Sequence, residues 1–222
     1  RRRHGLITAI TLAALCLTMI PWWIRNYRVA GRFVPTSLQV GASLYDGLSP
    51  TATGASDMQF VGRFVAEQRA ADAAAPVPPQ DLFEDRLDQR LKNAALGWAS
   101  NHPGRALRLA GIKFLRMWSL LPNAAEFQST ALRLILAATY TPIMILAAIG
   151  IWKHVGRGWP YVLCCLPAVY LTLLHVVFVS SIRYRQPAML ALIVFAAAGW
   201  QTVTGWHAKS AWRALQGRGP EA

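Results

Sequence analysis

Two arginines stand close together in a short segment between two long apolar runs near the C-terminus. Arg183 and Arg185 are separated by one tyrosine, and Pro187 follows them. Proline suits the first position of a helix because its missing N–H would have no partner there. The free N–H groups of that helix end and the two guanidiniums together could bind an anion. An anionic lipid head group is the candidate ligand, and the alternative is that the arginines only anchor the hairpin at the membrane surface.

The backbone of this turn decides whether both arginines can reach one ligand. Side chains two residues apart on a helix diverge by about 200°, so Arg183 and Arg185 can face one ligand only if the turn is extended. A proline disfavours helical backbone in the residue before it, and Pro187 therefore favours an extended turn.

Four apolar blocks must position this turn, because the chain is 54% hydrophobic and its apolar residues are clustered. Each block reaches the roughly 20 residues that a bilayer-crossing helix needs. Several tryptophans lie at the block ends, as in an interfacial aromatic belt. A signal peptide is the alternative for the first block, but no small-residue cleavage pattern follows it. The blocks cover about residues 5–24, 130–152, 159–181 and 187–206.

The charge distribution favours a membrane surface over nucleic acid. The net charge is +13, from 23 Lys and Arg against 10 Asp and Glu, and the basic residues of the short segments flank the apolar blocks. Those at 1–3, 153–157 and after 206 lie on one side, which the positive-inside rule makes cytoplasmic. Both termini are then cytoplasmic, and the long segment 25–129 and the Arg183–Arg185 turn are outside. The three cysteines fall inside apolar blocks and are expected to be free thiols.

The sequence therefore predicts an all-α membrane protein with about four transmembrane helices and an outer helical subdomain. Within that subdomain, extended pieces are expected at 32–35 and 43–45. Helices are expected at 57–74, at 80–100 with a leucine stripe, and at 103–121. The last is basic and amphipathic, and Leu107, Ile112, Leu115 and Trp118 should lie in the membrane interface. The predicted domains are a first helix at 1–24, the outer subdomain at 25–129, three helices at 130–206 and a cytoplasmic tail at 207–222.

Groups able to act as acid or base are concentrated in the outer segment. Nine of the ten acidic residues lie there, and most alternate with arginines as helical i,i+4 partners. Asp46, in a Gly/Ser-rich loop, and Glu126, at the membrane entrance, stand apart and are the candidates for a catalytic residue. No histidine has metal-ligand spacing with cysteines or acids, so no metal is expected. For His175, inside the third block, a packing role is favoured over a functional one.

Several segments resemble a known family of membrane enzymes. These segments are PWWIRNYRV at 21–29 with GRFVP at 31–35, GASLYDG at 41–47 with ATG at 52–54, and RYRQP at 183–187. Together they resemble the C-terminal part of bacterial multi-span glycosyltransferases of family 39 and its relatives, which include the dolichyl-phosphate-mannose protein mannosyltransferase-like and aminoarabinose transferase-like enzymes. His102-Pro103, Lys113-Phe114 and Arg116-Met117-Trp118 also fit the loop ending of that family.

The resemblance implies a partial GT-C fold in a bacterial inner membrane and a function in the cell envelope. Such enzymes move a sugar from a polyprenyl-phosphate carrier to a glycan, lipid or protein acceptor outside the cytoplasm. The displacement is inverting, needs no cofactor and at most a weak metal contribution, and uses an aspartate on a first outer loop. That loop is missing here, so we expect a fragment without transferase activity of its own.

A sugar carried on a lipid phosphate leaves behind a phosphate anion, which the enzyme must stabilise at the membrane edge. The predicted topology places four arginines there, and we assign all four to the carrier phosphate. A non-catalytic membrane scaffold or assembly protein is the alternative, and a transporter is less favoured because no block carries an acidic pair. The assigned arginines are Arg25, Arg28, Arg183 and Arg185, with Tyr27, Tyr45 and Tyr184 in supporting positions.

Overall fold

The computed structural model describes residues 2–76, 82–122 and 129–205, with residues 2–4 described in their backbone only. Within these ranges the chain is all helical, as predicted. Two 3-10 turns, Val155–Arg157 and Ile182–Arg185, precede the last two helices. In chain order the α-helices are α1 (Arg2–Ala30), α2 (Val40–Gly47), α3 (Phe60–Ala74), α4 (Phe83–Asn101), α5 (Pro103–Met117), α6 (Thr130–His154), α7 (Trp159–Val177) and α8 (Gln186–Thr204).

Four helical segments are long and apolar enough to cross a bilayer, which agrees with the four predicted blocks. The chain is therefore compatible with a multi-pass membrane protein. The first helix differs in its end: α1 continues past residue 24, so Arg25 and Arg28 lie on a helix and not in a loop. The four segments are Gly5–Ala30, Thr130–Arg157, Trp159–Val177 and Ile182–Thr204.

The chain divides into two compact units. The first unit comprises Arg1–Ala52 and Asp57–Pro103, and the second comprises Thr53–Ser56 and Gly104–Ala222. Helices α1 to α4 belong to the first unit, and α5 after its first residue belongs with α6, α7 and α8 to the second.

In the first unit, α2 packs closely on α4. A Cβ atom at Gly41 would overlap the backbone carbonyl of Asp88, so only glycine permits this approach. The buried Asp88 carboxylate accepts a hydrogen bond of 2.7 Å from the Gly41 N–H, one of the N–H groups left free at the start of α2. Tyr45 of α2 packs its ring against Phe60 and Phe64 of α3, at centroid distances of 4.8 and 4.9 Å.

Two local expectations for the first unit are wrong. Residues 43–45 are helical and not extended, because they belong to α2, which packs on α4 and places Tyr45 against the rings of α3. The buried face of α4 is not the expected leucine stripe, since Ala95 and Trp98 are buried with Leu91 while Leu96 is exposed. The buried face of α4 therefore combines a leucine with a small and an aromatic residue.

In the second unit, α6 and α8 approach each other through glycine. A Cβ atom at Gly150 would overlap the backbone carbonyl of Phe195, and one at Gly199 would overlap that of Leu146. Small residues at such a contact allow membrane helices to pack backbone to backbone, where lipid offers no hydrophobic drive for association. The surrounding core consists of Ala147, Met189, Leu192, Phe195 and Ala196.

Candidate functional site

The hairpin turn between α7 and α8 is a 3-10 turn, so the extended conformation expected from Pro187 is wrong. The backbone of Gln186 is helical, with φ −53° and ψ −43°, and α8 begins directly at that residue. Residues two apart on a 3-10 helix point in different directions. The turn therefore separates Arg183, which is exposed, from Arg185, which is buried.

Arg185 is 1% exposed and fastens the end of α5. One guanidinium nitrogen, Nη1, donates to the carbonyls of Met117 at 3.1 Å and Ser119 at 2.7 Å. The Met117 carbonyl is one that the end of α5 leaves without an internal partner, and Ser119 lies two residues beyond that end. The guanidinium carbon also lies 4.8 Å from the ring centre of Tyr140 on α6. Arg185 therefore has a structural role, because it holds the end of α5 next to α6.

Arg183 is exposed, in contrast to Arg185, and contacts the neighbouring aromatic side chain. Its guanidinium carbon lies 4.9 Å from the ring centre of Tyr184, and its Nη2 donates to the tyrosine hydroxyl at 3.0 Å. Tyr184 is in turn stacked on His175, at 4.2 Å between centroids and 8° between planes. His175 Nδ1 donates to the Val179 carbonyl at 2.8 Å, which accounts for this histidine as a packing residue. The exposed guanidinium is supported from one side and retains donors that face outward.

Lys113 is a buried cation of α5, and its burial was not predicted from the sequence. It is 0% exposed, and its ammonium donates to the carbonyls of Val176 at 3.3 Å and Val177 at 2.6 Å, at the C-terminal end of α7. A signal was present, since Leu109, Lys113 and Met117 follow each other at intervals of four and form the buried face of α5.

In the first unit, the end of α1 is fastened to the segment that follows it. Side chains from a single turn of the helix donate to three successive backbone carbonyls, which gives the PWWIRN segment a structural role. The bonds run from Trp22 Nε1 to Thr36 at 2.9 Å, from Trp23 Nε1 to Pro35 at 3.1 Å and from Asn26 Nδ2 to Val34 at 2.9 Å.

A cleft of about 290 Å³ lies between this helix end, the 34–39 segment and the start of α4, and we call it the α1 cleft. Arg25 is exposed in its lining, and its Nη1 donates to Asn26 Oδ1 at 3.2 Å. Its guanidinium carbon lies 5.3 Å from the ring centre of Trp22. The buried Asn26 and the indole therefore orient Arg25, while Glu84 is a carboxylate in the lining of the same cleft.

The other predicted site residues of the first unit have different surroundings. Arg28 and Tyr27 are exposed at the end of α1, and Arg28 lies three residues after Arg25, on the same side of the helix. Tyr45 is part of the aromatic core. Asp46 is buried, and its carboxylate accepts the N–H of Asp57 at 2.8 Å, so it holds the loop that follows α2.

The predictions for Glu126 and the tail 207–222 lie outside the described residues, as does residue 80 at the expected start of α4. Of the four assigned arginines, the structure brings Arg183 and Arg185 into one turn and Arg25 and Arg28 onto one helix end. Within the residues described, no cluster of His, Cys, Asp and Glu is suited to hold a metal ion.

The second unit has a one-sided charge. Between Gly104 and Ala222 the sequence contains twelve Lys and Arg but only two acids, Glu126 and Glu221. Both acids lie outside the described ranges, so the described part of this unit contains no carboxylate side chain. An exposed guanidinium such as that of Arg183 can bind a phosphate through two parallel hydrogen bonds.

Comparison with known proteins adds no family to this geometry: no family model, no curated protein and no solved structure matches the chain.

Proposed function

We propose that this chain binds a polyprenyl phosphate at the membrane surface, as the carrier-binding part of a glycosyltransferase. That enzyme would transfer the sugar from the carrier to an acceptor outside the cytoplasm. The observation that carries the proposal is Arg183: an exposed guanidinium, supported by Tyr184, in a unit whose described part contains no carboxylate. Its partner anion must come from outside the described unit, and a lipid phosphate at the end of a span fits.

The chemistry of sugar transfer gives this arginine a role. When the sugar leaves a phosphate carrier, negative charge develops on the phosphate oxygens, and donors already in place stabilise that charge. The Tyr184–His175 stack fixes the position of Arg183, so little reorganisation is needed when the charge appears. An apolar crevice of about 400 Å³ between α6, α7 and α8 could receive part of an isoprenoid chain.

Arg25 supplies a second oriented guanidinium, in the α1 cleft. The topology predicted from the short-loop charges places both Arg25 and Arg183 on the outer side of the membrane. Asp46 holds a loop, and we assign it no catalytic step. The catalytic acid implied by the family resemblance is not among the residues of this chain, so the purified chain is expected to bind the carrier without turnover.

The test is binding of polyprenyl phosphate to the full chain in lipid nanodiscs, followed by native mass spectrometry. Arg183→Ala should weaken binding about 10- to 100-fold, which corresponds to the roughly 1.5–3 kcal/mol of a hydrogen bond to a charged group. Polyprenyl alcohol, which lacks the phosphate, should bind wild type and variant alike. Phosphatidic acid distinguishes the carrier from any lipid phosphate, and it should compete poorly.

Arg157→Ala is the matched control, because Arg157 is also an exposed arginine of a 3-10 turn next to α7, at the other end of that helix. It should leave the affinity unchanged. Equal losses for Arg157→Ala and Arg183→Ala would show that only net charge matters, and unchanged binding by Arg183→Ala would place the phosphate elsewhere. Either result overturns the proposal.

A further inference from the structure

Helix α5 has two opposite faces that are both apolar in part. One is buried in the second unit and consists of Leu109, Lys113 and Met117. The other is exposed: Leu107 is 76% and Leu115 69% exposed. At 100° per residue, Gly111 lies between these two leucines around the helix axis, and Phe114 lies about 20° beyond Leu107. We call Leu107, Gly111, Phe114 and Leu115 the outer face of α5.

The C-terminal half of α5 is fixed at the end of a candidate span. Lys113 binds the carbonyls of the last two residues of α7. Trp118, just after α5, donates from Nε1 to Thr172 Oγ1 at 3.1 Å. Thr172 lies five residues before the end of α7, which at 1.5 Å per residue is about 7 Å inside the span. The end of α5 is therefore held at the depth of a membrane boundary.

The outer face of α5 is continuous with the lipid-facing surface of the spans. Phe114 and Trp118 line the apolar crevice together with residues of α6, α7 and α8, among them Met144, Thr172 and Leu192. A surface that runs from an amphipathic helix into the sides of candidate spans meets the same medium along its length. Arg105 and Arg108 lie on the first turns of α5, and α5 contains no acid.

We propose that α5 is an interfacial helix whose outer face is immersed in the bilayer at the level of the head groups and upper acyl chains. The occupant of this face is the lipid bilayer, with anionic head groups near Arg105 and Arg108. The sequence also predicts an interfacial helix here, but with a partly different set of residues in the membrane interface. Ile112 is half-buried and lies away from the outer face, whereas Phe114 belongs to it. The inference does not depend on the proposed transferase function.

The experiment measures membrane depth at single positions in the full chain. In a background without Cys16, Cys164 and Cys165, a cysteine is introduced by Leu107→Cys or Leu115→Cys and labelled with the fluorophore NBD. The labelled chains are placed in nanodiscs that contain phosphatidylglycerol and lipids with nitroxides at defined depths. Arg105→Cys is the matched control, because it lies on the same helix about 160° away from Leu107.

Labels at 107 and 115 should show blue-shifted emission and several-fold stronger quenching by shallow nitroxides than the label at 105. Equal quenching at all three positions overturns the proposal, because the helix would then have no bilayer side. Blue-shifted emission without lipid quenching also overturns it, since a second copy or another protein would then cover the face. The three labelled positions are exposed, so labelling them should not prevent folding.

Discussion

The two units use their charged residues in opposite ways. In the first unit, arginines pair with carboxylates across helices: Arg86 with Asp72 at 2.6 Å and Arg90 with Glu67 at 2.8 Å, while Arg32 pairs with Asp85. In the second unit, whose described part contains no carboxylate, the buried cations Lys113 and Arg185 bind backbone carbonyls at helix ends. Arg183, in contrast, is exposed and contacts the side chain of Tyr184.

This difference shows what an excess of positive charge can do near a membrane. A cation without an acidic partner can neutralise part of the helix dipole at a C-terminus, where the carbonyls carry partial negative charge. If it stays exposed, it can bind an anion from outside the protein, and lipid phosphates are the abundant anions at a bilayer surface. Arg183 and Arg185 show the two cases within one turn: Arg185 binds carbonyls at a helix end, and Arg183 stays exposed.

The largest expected effect comes from removing a buried cation. Arg185→Ala should lower the free energy of unfolding by about 2–5 kcal/mol, because the buried Met117 carbonyl and the half-buried Ser119 carbonyl then lose their donor. Arg183→Ala, at an exposed position, should change it by about 0.5 kcal/mol or less. Thermal unfolding of the two purified variants in detergent measures the contrast. Similar unfolding midpoints for both would mean that burial does not distinguish the two arginines.

Arginine-to-lysine substitutions should have a smaller effect, and they test whether the shape of the cation matters as well as its charge. Arg183→Lys and Arg25→Lys keep the charge but lose the planar fork that matches a phosphate, so each should weaken polyprenyl phosphate binding by up to about tenfold. Arg185→Lys should instead leave affinity near that of the wild type and lower the unfolding midpoint, because an ammonium cannot reproduce the stacking on Tyr140. Full affinity in both exposed-site lysine variants would identify these arginines as membrane anchors.

The smallest effect concerns an ion pair of the first unit and its pH dependence. The hydrogen bond from Arg86 holds the pKa of the Asp72 carboxyl below its ordinary value of 3.8, and the Gln68 amide adds to this lowering. A lowered pKa in the folded state means that the pair stabilises the fold above pH 3.8 and that this share is lost as the pH falls through the lowered value. Thermal midpoints measured from neutral to acidic pH should therefore depend slightly less on pH in Asp72→Asn than in wild type. Glu84→Gln, at an exposed site, serves as control, and an equal change in it would assign the effect to general charge.

Much of the fold could be predicted because it depends on contiguous stretches of sequence. The number and approximate position of the four apolar helices were confirmed, since their length and composition alone meet the requirement of a bilayer. The ends were less accurate: α1 continues to Ala30, and α5 ends at Met117 instead of residue 121. Indole and amide hydrogen bonds to residues 34–36 hold the last turns of α1, and no local sequence pattern predicts such contacts.

The site was predictable only in part. No local feature of the RYRQP segment predicts which arginine is buried and which is exposed, because their burial depends on where α5 ends. Tyr140, which lies beside Arg185, is more than forty residues away in the chain and gave no signal. Pro187 gave a misleading one: the preference for extended backbone before proline is small, and a helix start at Gln186 with buried hydrogen bonds from Arg185 outweighs it.

The sequence by itself determined that this protein is helical, strongly basic and equipped with four segments able to cross a bilayer, because hydropathy and charge act residue by residue along the chain. The tertiary structure decided which cations are buried. The carbonyls that bind Arg185 lie 66 and 68 residues before it, and those that bind Lys113 lie 63 and 64 residues after it. A guanidinium or ammonium becomes buried only where folding brings unpaired carbonyls within reach, since an unpaired buried charge is too costly.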